Sequence, residues 1–348
     1  MLPISANLNY MAHKVFSLAI NEYQTRLAHL EKKKDKIELL SLGYDNTVPT
    51  FFSNPTDQSI QQQAQVIMQI YKQLNIKETK VQIVIPDSVS FSHLIVMPKL
   101  KEDELAKAIK LQVDEIIPLP ISETNIDFEI VTELPDNKIL VLFVALEKKI
   151  ADHIAKTIEF TKLEPISLEN DLSVLGRFFA EVFPFMKDPS IVINFGFNAT
   201  SFYVLNPTFP YFQNTKLIKI GLSTFLKDLK MNMNMEPLKS IEALKSIGFS
   251  TNGSVNLTPV ISPITTEFIN ELSALIKFTK EKSNISIKHI YTMNYDTSIA
   301  HLSTVIQNSL SIPTVPVPLE SILVPNPIVQ TFKNNLTAFL PVIAGHLR

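Results

Sequence analysis

Residues 81–120 read VQIVIPDSVSFSHLIVMPKLKEDELAKAIKLQVDEIIPLP and decide how the chain is divided. The apolar run at 81–85 predicts a buried strand that ends at Pro86, and residues 91–97 predict a second strand. Residues 102–116 carry apolar side chains at helical spacing and predict a helix with one buried stripe. The stripe comprises Leu105, Ile109, Val113 and Ile116. This alternation of strand and helix is typical of an α/β fold.

The alternation continues into a small module. Pro118 stops the predicted helix, and strands at 124–131 and 138–145 follow, with a helix at 149–160. Residues 86–164 are therefore predicted as a compact β-α-β-β-α module inserted into a larger body.

A similar succession of strands and turns occurs on both sides of this module. Before it, residues 16–42 predict a meander of three strands, and residues 61–74 predict a helix. After it, residues 172–183 predict a helix that leads to strands at 191–195 and 201–205. The repeated opening predicts two related halves that face a cleft. The second half is predicted to continue with a helix at 264–282, a strand at 287–292, a helix at 299–310 and a terminal helix at 332–348.

Composition excludes several classes of function. The 348 residues include 32 basic and 34 acidic side chains, and a net charge of −2 gives no field that would gather nucleic acid or anionic lipid. The chain has no cysteine, so disulfides and thiolate metal sites are excluded. The apolar run at 139–146 is far shorter than the roughly 20 residues of a membrane-spanning helix. Any membrane contact is therefore expected to come through a partner.

The residue pattern contains no catalytic constellation. The seven glycines include no two that are two residues apart, so neither a dinucleotide fingerprint nor a P-loop can be written. Both motifs need glycine because backbone amides must approach phosphate closely. The seven histidines form no pair at metal-binding spacing, and no serine stands in a nucleophile elbow. We therefore expect neither an enzyme nor a metal site.

The order of several short motifs resembles the PilM family of type IV pilus assembly proteins. The most specific is the proline-bounded helix end Ile116-Ile117-Pro118-Leu119-Pro120, and the resemblance extends over nearly the whole chain. The other motifs are IVIP at 83–86, MPKL at 97–100, LEND at 168–171, EALK at 242–245, VPNP at 324–327 and GHLR at 345–348.

The resemblance implies a two-lobed actin-like, ribonuclease H-like ATPase fold of the α/β class, related to FtsA. Residues 1–85 and 165–190 would form the first lobe, and residues 86–164 the inserted subdomain. Residues 191–348 would form the second lobe, with residues 220–282 as its accessory subdomain.

The chain departs from the family where the fold holds nucleotide. The first phosphate loop typically reads Asp-x-Gly, whereas this chain has Asn21-Glu22-Tyr23. The second loop has Asn194 in place of an aspartate, and an amide lacks the charge that holds hydrated magnesium. Met293-Asn294-Tyr295 replaces a glycine-rich adenosine loop. These losses predict that the chain has no ATP or Mg²⁺ cofactor.

Some residues could still form a residual nucleotide site. Asn194, Gly196 and Thr200 belong to the second loop, and Glu242 and Lys245 match positions that can touch the base or ribose. Gly196 could instead serve a tight hairpin, and Glu242 and Lys245 could be a surface pair.

The resemblance implies a cytoplasmic scaffold of a type IV pilus or a related secretion or competence assembly platform. It would bind the cytoplasmic tail of a PilN-like inner-membrane protein and link it to the pilus motor without hydrolysis. The binding groove is expected between the inserted subdomain and the first lobe. Its apolar lining would comprise Val96, Pro98, Ile117, Pro118 and Leu119, each of which could instead be ordinary core. Two alternatives remain open: a nucleotide-switched ATPase with unusual loops that binds ATP and magnesium, and a filament-forming adaptor similar to FtsA.

Overall fold

The computed structural model describes most of the chain. The described residues are 15–54, 56–101, 104, 105, 107–109, 112, 117, 120–182, 187–250 and 255–347. Their strands are, in chain order, β1 (Val15–Ile20), β2 (Gln24–Lys33), β3 (Lys36–Asn46), β4 (Lys80–Ile85), β5 (Phe91–Pro98), β6 (Thr124–Leu134), β7 (Lys138–Glu147), β8 (Glu164–Asn170), β9 (Ser190–Phe195), β10 (Thr200–Leu205), β11 (Phe212–Ile218), β12 (His289–Asn294) and β13 (Thr314–Pro316). Their α-helices are α1 (Asp57–Gln73), α2 (Lys148–Thr161), α3 (Asp171–Arg177), α4 (Leu222–Met233), α5 (Pro237–Ser246), α6 (Thr258–Ser283), α7 (Leu302–Leu310), α8 (Pro327–Phe332) and α9 (Leu340–His346).

Two sheets of five strands have the same topology. The first has the order β3-β2-β1-β4-β8, and the second has the order β11-β10-β9-β12-β13. In each sheet the first three strands of the lobe form an antiparallel meander, and the fourth and fifth strands run parallel to the first. The predicted pair of related halves in an α/β fold is therefore confirmed.

Helix α1 shows how the local sequence fixes an element. Thr56 caps its N-terminus by accepting a hydrogen bond from the Ser59 amide at 3.1 Å, and the Ser59 hydroxyl accepts one from the Thr56 amide at 2.8 Å. Ile67 and Ile70 on one face are buried in the same cluster as Phe16 of β1. The helix therefore covers the outer face of the first sheet.

The inserted sheet has the order β5-β7-β6, with antiparallel strands throughout. Leu105 and Ile109, from the predicted helix at 102–116, are buried in the same cluster as Phe143 of β7. Helix α2, predicted as the last element of this module, contacts β6 and β7 but packs mainly on α1, with Ile154 and Ile158 in the core of the first lobe. The stripe on α2 predicts a buried face but does not say which neighbour covers it.

Helices α3 and α9 lie between the two large sheets. Helix α9 contacts β1, β2 and β4 of the first sheet, and the Ser17 hydroxyl donates a hydrogen bond to the Val342 carbonyl at 2.6 Å. Helix α9 thus packs on the first sheet, whereas the sequence assigned all residues from 191 to 348 to the second lobe. Among the residues described, no helix is both long and apolar enough to cross a membrane.

Candidate functional site

Four polar side chains meet in the cleft between the lobes. Asp87 follows β4, Asp171 follows β8, and Asn194 and Asn294 lie at the ends of β9 and β12. The carboxyl ends of parallel strands are where open α/β sheets bind ligands. The fold therefore brings these groups to the position that holds nucleotide in active relatives of this fold.

Asp87 ties the first lobe to the second. Its Oδ2 accepts hydrogen bonds from the Ser201 hydroxyl at 2.7 Å and from the Tyr203 hydroxyl at 2.5 Å, both on β10. Its Oδ1 accepts one from the Leu172 amide at 2.9 Å. Burial raises the pKa of Asp87, and the hydrogen bonds from Tyr203 and Ser201 act against this shift. Both carboxylate oxygens are thus committed to protein donors.

A second hydrogen-bonded chain crosses the cleft through Asn194. The Asn194 amide donates to Asp171 Oδ2 at 2.8 Å, and its oxygen accepts from the Asn294 amide at 2.9 Å. Burial raises the pKa of Asp171 well above its usual range, and the nearby Asp87 raises it further.

Arg26 completes this chain from the first lobe. Its guanidinium donates to Asn294 Oδ1 at 2.7 Å, to the Ala338 carbonyl and to Gln24 Oε1. The side chain is 1% exposed, and burial lowers its pKa. The guanidinium carbon lies 4.5 Å from the centre of the Tyr295 ring, within the range of a cation–π contact.

Aromatic rings close the cleft where the two phosphate loops would face each other. Tyr23, in the β1–β2 turn, stacks on Phe197 of the β9–β10 turn with ring centres 4.9 Å apart and planes 9° apart. Tyr295 lies 6.0 Å from Tyr23. The neighbouring Glu22 accepts a hydrogen bond from Ser88, and burial raises its pKa.

The cavity lined by Asn21, Asp171, Asn194 and Asn294 has a volume of about 10 Å³. This is roughly the space of one water molecule, so a triphosphate does not fit. Both amide atoms of Asn21 and Oδ1 of Asp171 are buried there without a partner. Within the described residues, no three His, Asp or Glu side chains are grouped to hold a metal ion. The residues present therefore do not fit a magnesium–nucleotide complex.

The predicted nucleotide residues separate into two groups. Asn194 and Gly196 line the small cavity, whereas Thr200 donates a hydrogen bond to the Ile220 carbonyl at 2.7 Å and does not line it. Glu242 and Lys245 are exposed on α5, away from the cavity. A Cβ at Gly196 would lie 2.3 Å from the Ala199 carbonyl oxygen, so the hairpin itself requires glycine.

Sequence reasoning missed Asp87, Asp171 and Arg26. Asp87 had a readable signal, because it lies two residues after the buried parallel strand β4. Asp171 directly follows β8, but that strand is largely exposed and no apolar run marks it in the sequence. No signal in the sequence marks Arg26, since it occupies a meander strand whose contacts with the other lobe are set by the tertiary fold.

A larger groove lies between the inserted sheet and the first lobe, with a volume of about 230 Å³. Its floor is apolar and its rim is polar. The lining residues are Ile85, Asn125, Ile126, Asp127, Phe128, Glu129, Leu142, Val144, Leu146, Ala151, Leu168, Glu169, Asn170 and Ser173.

This groove is where partner binding was predicted, but its lining differs. Val96 and Pro98 lie on β5, two strands away from β6, and Ile117 is buried; none of the three lines the groove. Pro118 and Leu119 lie outside the described residues. A groove is present between the two bodies that the prediction named, but β6 rather than β5 lines it, because sheet order cannot be read from the chain order of three strands. Partner binding at this groove stays a prediction.

The match to a family model agrees with the fold. Residues 18–340 match the model for type IV pilus assembly protein PilM. No curated protein sequence matches the chain. A solved PilM-PilN type IV pilus biogenesis complex superimposes with a TM-score of 0.81, at 18% identity, over 96% of this chain and 98% of that chain. The ethanolamine utilization protein EutJ from Carboxydothermus hydrogenoformans aligns with a TM-score of 0.47, at 10% identity, over 88% of this chain and 86% of its own. Because the family model spans nearly the whole sequence, the chain belongs to the PilM family of type IV pilus assembly proteins.

Proposed function

We propose that this chain is a scaffold of a type IV pilus assembly platform that holds the cytoplasmic tail of a PilN-like inner-membrane protein and does not hydrolyse ATP. One contrast carries the proposal: the groove beside the inserted sheet has about 230 Å³, whereas the nucleotide cleft has about 10 Å³. The groove therefore has room for a ligand that the cavity around Asn194 does not have.

Several observations support a role without hydrolysis. Asn194 is an amide at the position where an aspartate would hold hydrated magnesium, and its side chain is committed to Asp171 and Asn294. The stacked rings of Tyr23 and Phe197 occupy the place where the two phosphate loops would approach a phosphate chain. Opening the cleft would break these contacts together.

The groove suits an extended peptide because two sheet edges border it. Among the described residues, strand β6 pairs only with β7 and strand β8 only with β4, so each has one edge whose backbone donors and acceptors lack a strand partner there. An extended segment can add to such an edge while its side chains enter apolar pockets. The floor supplies Leu142, Val144 and Leu146 for this purpose.

The fold shared with the solved PilM-PilN complex supports a PilN-like partner. The tail of this partner would hold the chain at the cytoplasmic face of the inner membrane, where the scaffold could contact components of the pilus motor.

Peptide binding tests the proposal. A fluorescent peptide copying the N-terminal tail of the PilN-like protein from the same genome is titrated with the full chain, and anisotropy is recorded. Leu168, on the groove wall, is 39% exposed, so Leu168→Asp should weaken binding at least tenfold without unfolding the chain. Val96 is 52% exposed outside the groove, and Val96→Asp serves as the matched control. Equal binding by both variants would reject the groove.

Nucleotide binding tests the second half of the proposal. Calorimetry with millimolar Mg²⁺-ATP should show no binding heat, and the melting temperature should not rise. Micromolar binding that is lost in Asn194→Arg would show that the cleft still admits nucleotide and would favour a nucleotide-switched protein over a scaffold without nucleotide.

A further inference from the structure

Strand β6 places a row of polar side chains beside the apolar floor of the groove. Alternate residues of a strand point to the same face, and the β6–β7 register sets each polar residue opposite an apolar one. The pairs are Asn125 with Leu146, Asp127 with Val144, and Glu129 with Leu142. The intervening Ile126 and Phe128 pack into the core on the other face of the sheet. The groove therefore has an apolar stripe and, parallel to it, an acidic stripe formed by Asp127 and Glu129.

Within the described residues, no cation forms an ion pair with the acidic stripe. Glu169 also lines the groove, but Arg177 forms an ion pair with it at 2.6 Å. Asp127 and Glu129 are exposed, and neither forms an ion pair within the described part of the chain. Glu129 acts on Arg177 only at longer range, as one of the charges that raise the pKa of that arginine. Three carboxylates and one guanidinium therefore leave a net charge of −2 at the groove, from Asp127, Glu129, Glu169 and Arg177. A cation on the ligand would complement this charge.

The groove also follows the outer edge of β6. Five consecutive residues, 125–129, line it, although their side chains alternate between the two faces. A cavity that touches every residue of a strand must run along the backbone edge. A peptide that adds to this edge would therefore point every second side chain to the groove face, where the acidic stripe of β6 lies beside it and the apolar stripe of β7 lies beyond.

We propose that Asp127 and Glu129 make this groove selective for an extended peptide that carries a lysine or arginine side chain next to its apolar anchors. The inference rests on the proposed function, because it assigns a chemistry to the tail that the groove would hold. Cytoplasmic segments near a membrane span are rich in lysine and arginine, so a tail of this kind has the required charge. The two carboxylates act as specificity-determining residues, since a neutral or acidic peptide of the same shape would leave them uncompensated.

Neutralising the charges on the groove and on the peptide, separately and together, tests this selectivity on the full chain. The probe is the fluorescent tail peptide described above, with a second version in which every lysine and arginine is replaced by glutamine. Asp127→Asn/Glu129→Gln should weaken binding of the native peptide about tenfold at low salt, and the effect should shrink in high salt. The glutamine peptide should bind the wild-type chain and the double variant equally. Glu164→Gln, on exposed β8 surface outside the groove, is the matched control.

The outcomes separate this inference from the proposed function. If the native peptide binds the wild-type chain and Leu168→Asp reduces binding, but Asp127→Asn/Glu129→Gln does not, the groove stands and its charge selectivity is rejected. If acetylating the peptide's α-amino group removes the effect, the cation is the chain terminus and the assignment to a side chain is rejected. If no peptide binds the wild-type chain, both proposals fail.

Discussion

Arg26 is the residue that most clearly links the two lobes. It is a buried cation on β2 that bonds to Asn294 at the end of β12 and to the Ala338 carbonyl ahead of α9. In Arg26→Met these two acceptors would lose their donor in a site that water cannot reach. We expect the free energy of unfolding in urea to fall by about 2–4 kcal/mol, since an unsatisfied buried acceptor costs about 1–3 kcal/mol.

Two further variants serve as controls for this measurement. Arg26→Lys keeps the charge but loses the fork that reaches several acceptors, so it should recover less than half of the loss. Lys245→Met removes an exposed cation on α5 and should change stability by no more than about 0.5 kcal/mol. A stable Arg26→Met chain would show that the cleft does not depend on this network.

His346, in the last turn of α9, makes stability depend on pH. Burial, followed by the nearby His29, lowers its pKa from 6.5 to about 4. The folded chain therefore keeps His346 neutral, whereas the unfolded chain takes up a proton below about pH 6.5. Stability from this group is complete above that pH and is lost as the pH falls toward 4, by about 2 kcal/mol at pH 5.

Comparison with His346→Gln isolates this contribution. Buried carboxyls such as Asp87 and Asp171 have raised pKa values, so protonation of these groups stabilises the folded chain in acid and acts in the opposite direction. Urea unfolding at pH 7.5 and pH 5 should show a larger loss for the wild type than for the variant. Equal losses would mean that His346 protonates freely in the folded chain.

At the scale of elements, α3 packs against the segment before β11 through a glycine. A Cβ at Gly176 would lie 1.8 Å from Cζ of Tyr211, whose buried hydroxyl donates to the Leu172 and Ser173 carbonyls, each at 3.2 Å. Helix propensity alone predicts that Gly176→Ala stabilises the chain by about 1 kcal/mol. Because the ring has no room to move, we expect a loss of about 1–3 kcal/mol in urea unfolding instead.

A double variant checks that the clash is the cause. Gly176→Ala combined with Tyr211→Leu should be more stable than the sum of the two single effects predicts, because the smaller side chain vacates the space that the new methyl group needs. Additive losses would assign the cost of Gly176→Ala to some other contact.

The sequence predicted elements better than it predicted their neighbours. The apolar runs of β4, β7 and β9 identify buried strands because burial on both faces removes polar residues from the pattern. Strand β8 was missed because polar residues interrupt its apolar pattern. The start of α6 was predicted at 264 instead of Thr258 because Pro263, a residue type that usually interrupts helices, lies within the helix. At the site, Asn194 could be inferred from the family pattern. The Tyr23–Phe197 stack could not, since it joins turns more than 170 residues apart in sequence.

At the scale of the whole molecule, two lobes of the same topology enclose a cleft that protein side chains fill. In an actin-like fold a nucleotide in that cleft contacts both lobes. Here the lobes contact each other directly, through the hydrogen bond that Arg26 donates to Asn294, the hydrogen bond that Asp87 accepts from Ser201, and the Tyr23–Phe197 stack. The angle between the lobes is therefore set by the sequence itself. A groove for a partner then keeps its shape without a ligand in the cleft, which suits a permanent scaffold.

Spin labels on the two lobes test this fixed angle. The chain has no cysteine, so Lys72→Cys on α1 and Lys239→Cys on α5, both exposed, accept one label each without a background. Pulsed electron–electron double resonance should give one narrow distance distribution that does not change when millimolar Mg²⁺-ATP is added. A ligand shifts the equilibrium between open and closed lobes only if it binds these two states differently. Adding Tyr23→Ala and Arg26→Met should broaden the distribution, since these changes remove the ring stack and the buried guanidinium. A distance that shifts with ATP in the otherwise unmodified chain would show that the lobes still respond to nucleotide, and the fixed-angle scaffold would have to be abandoned.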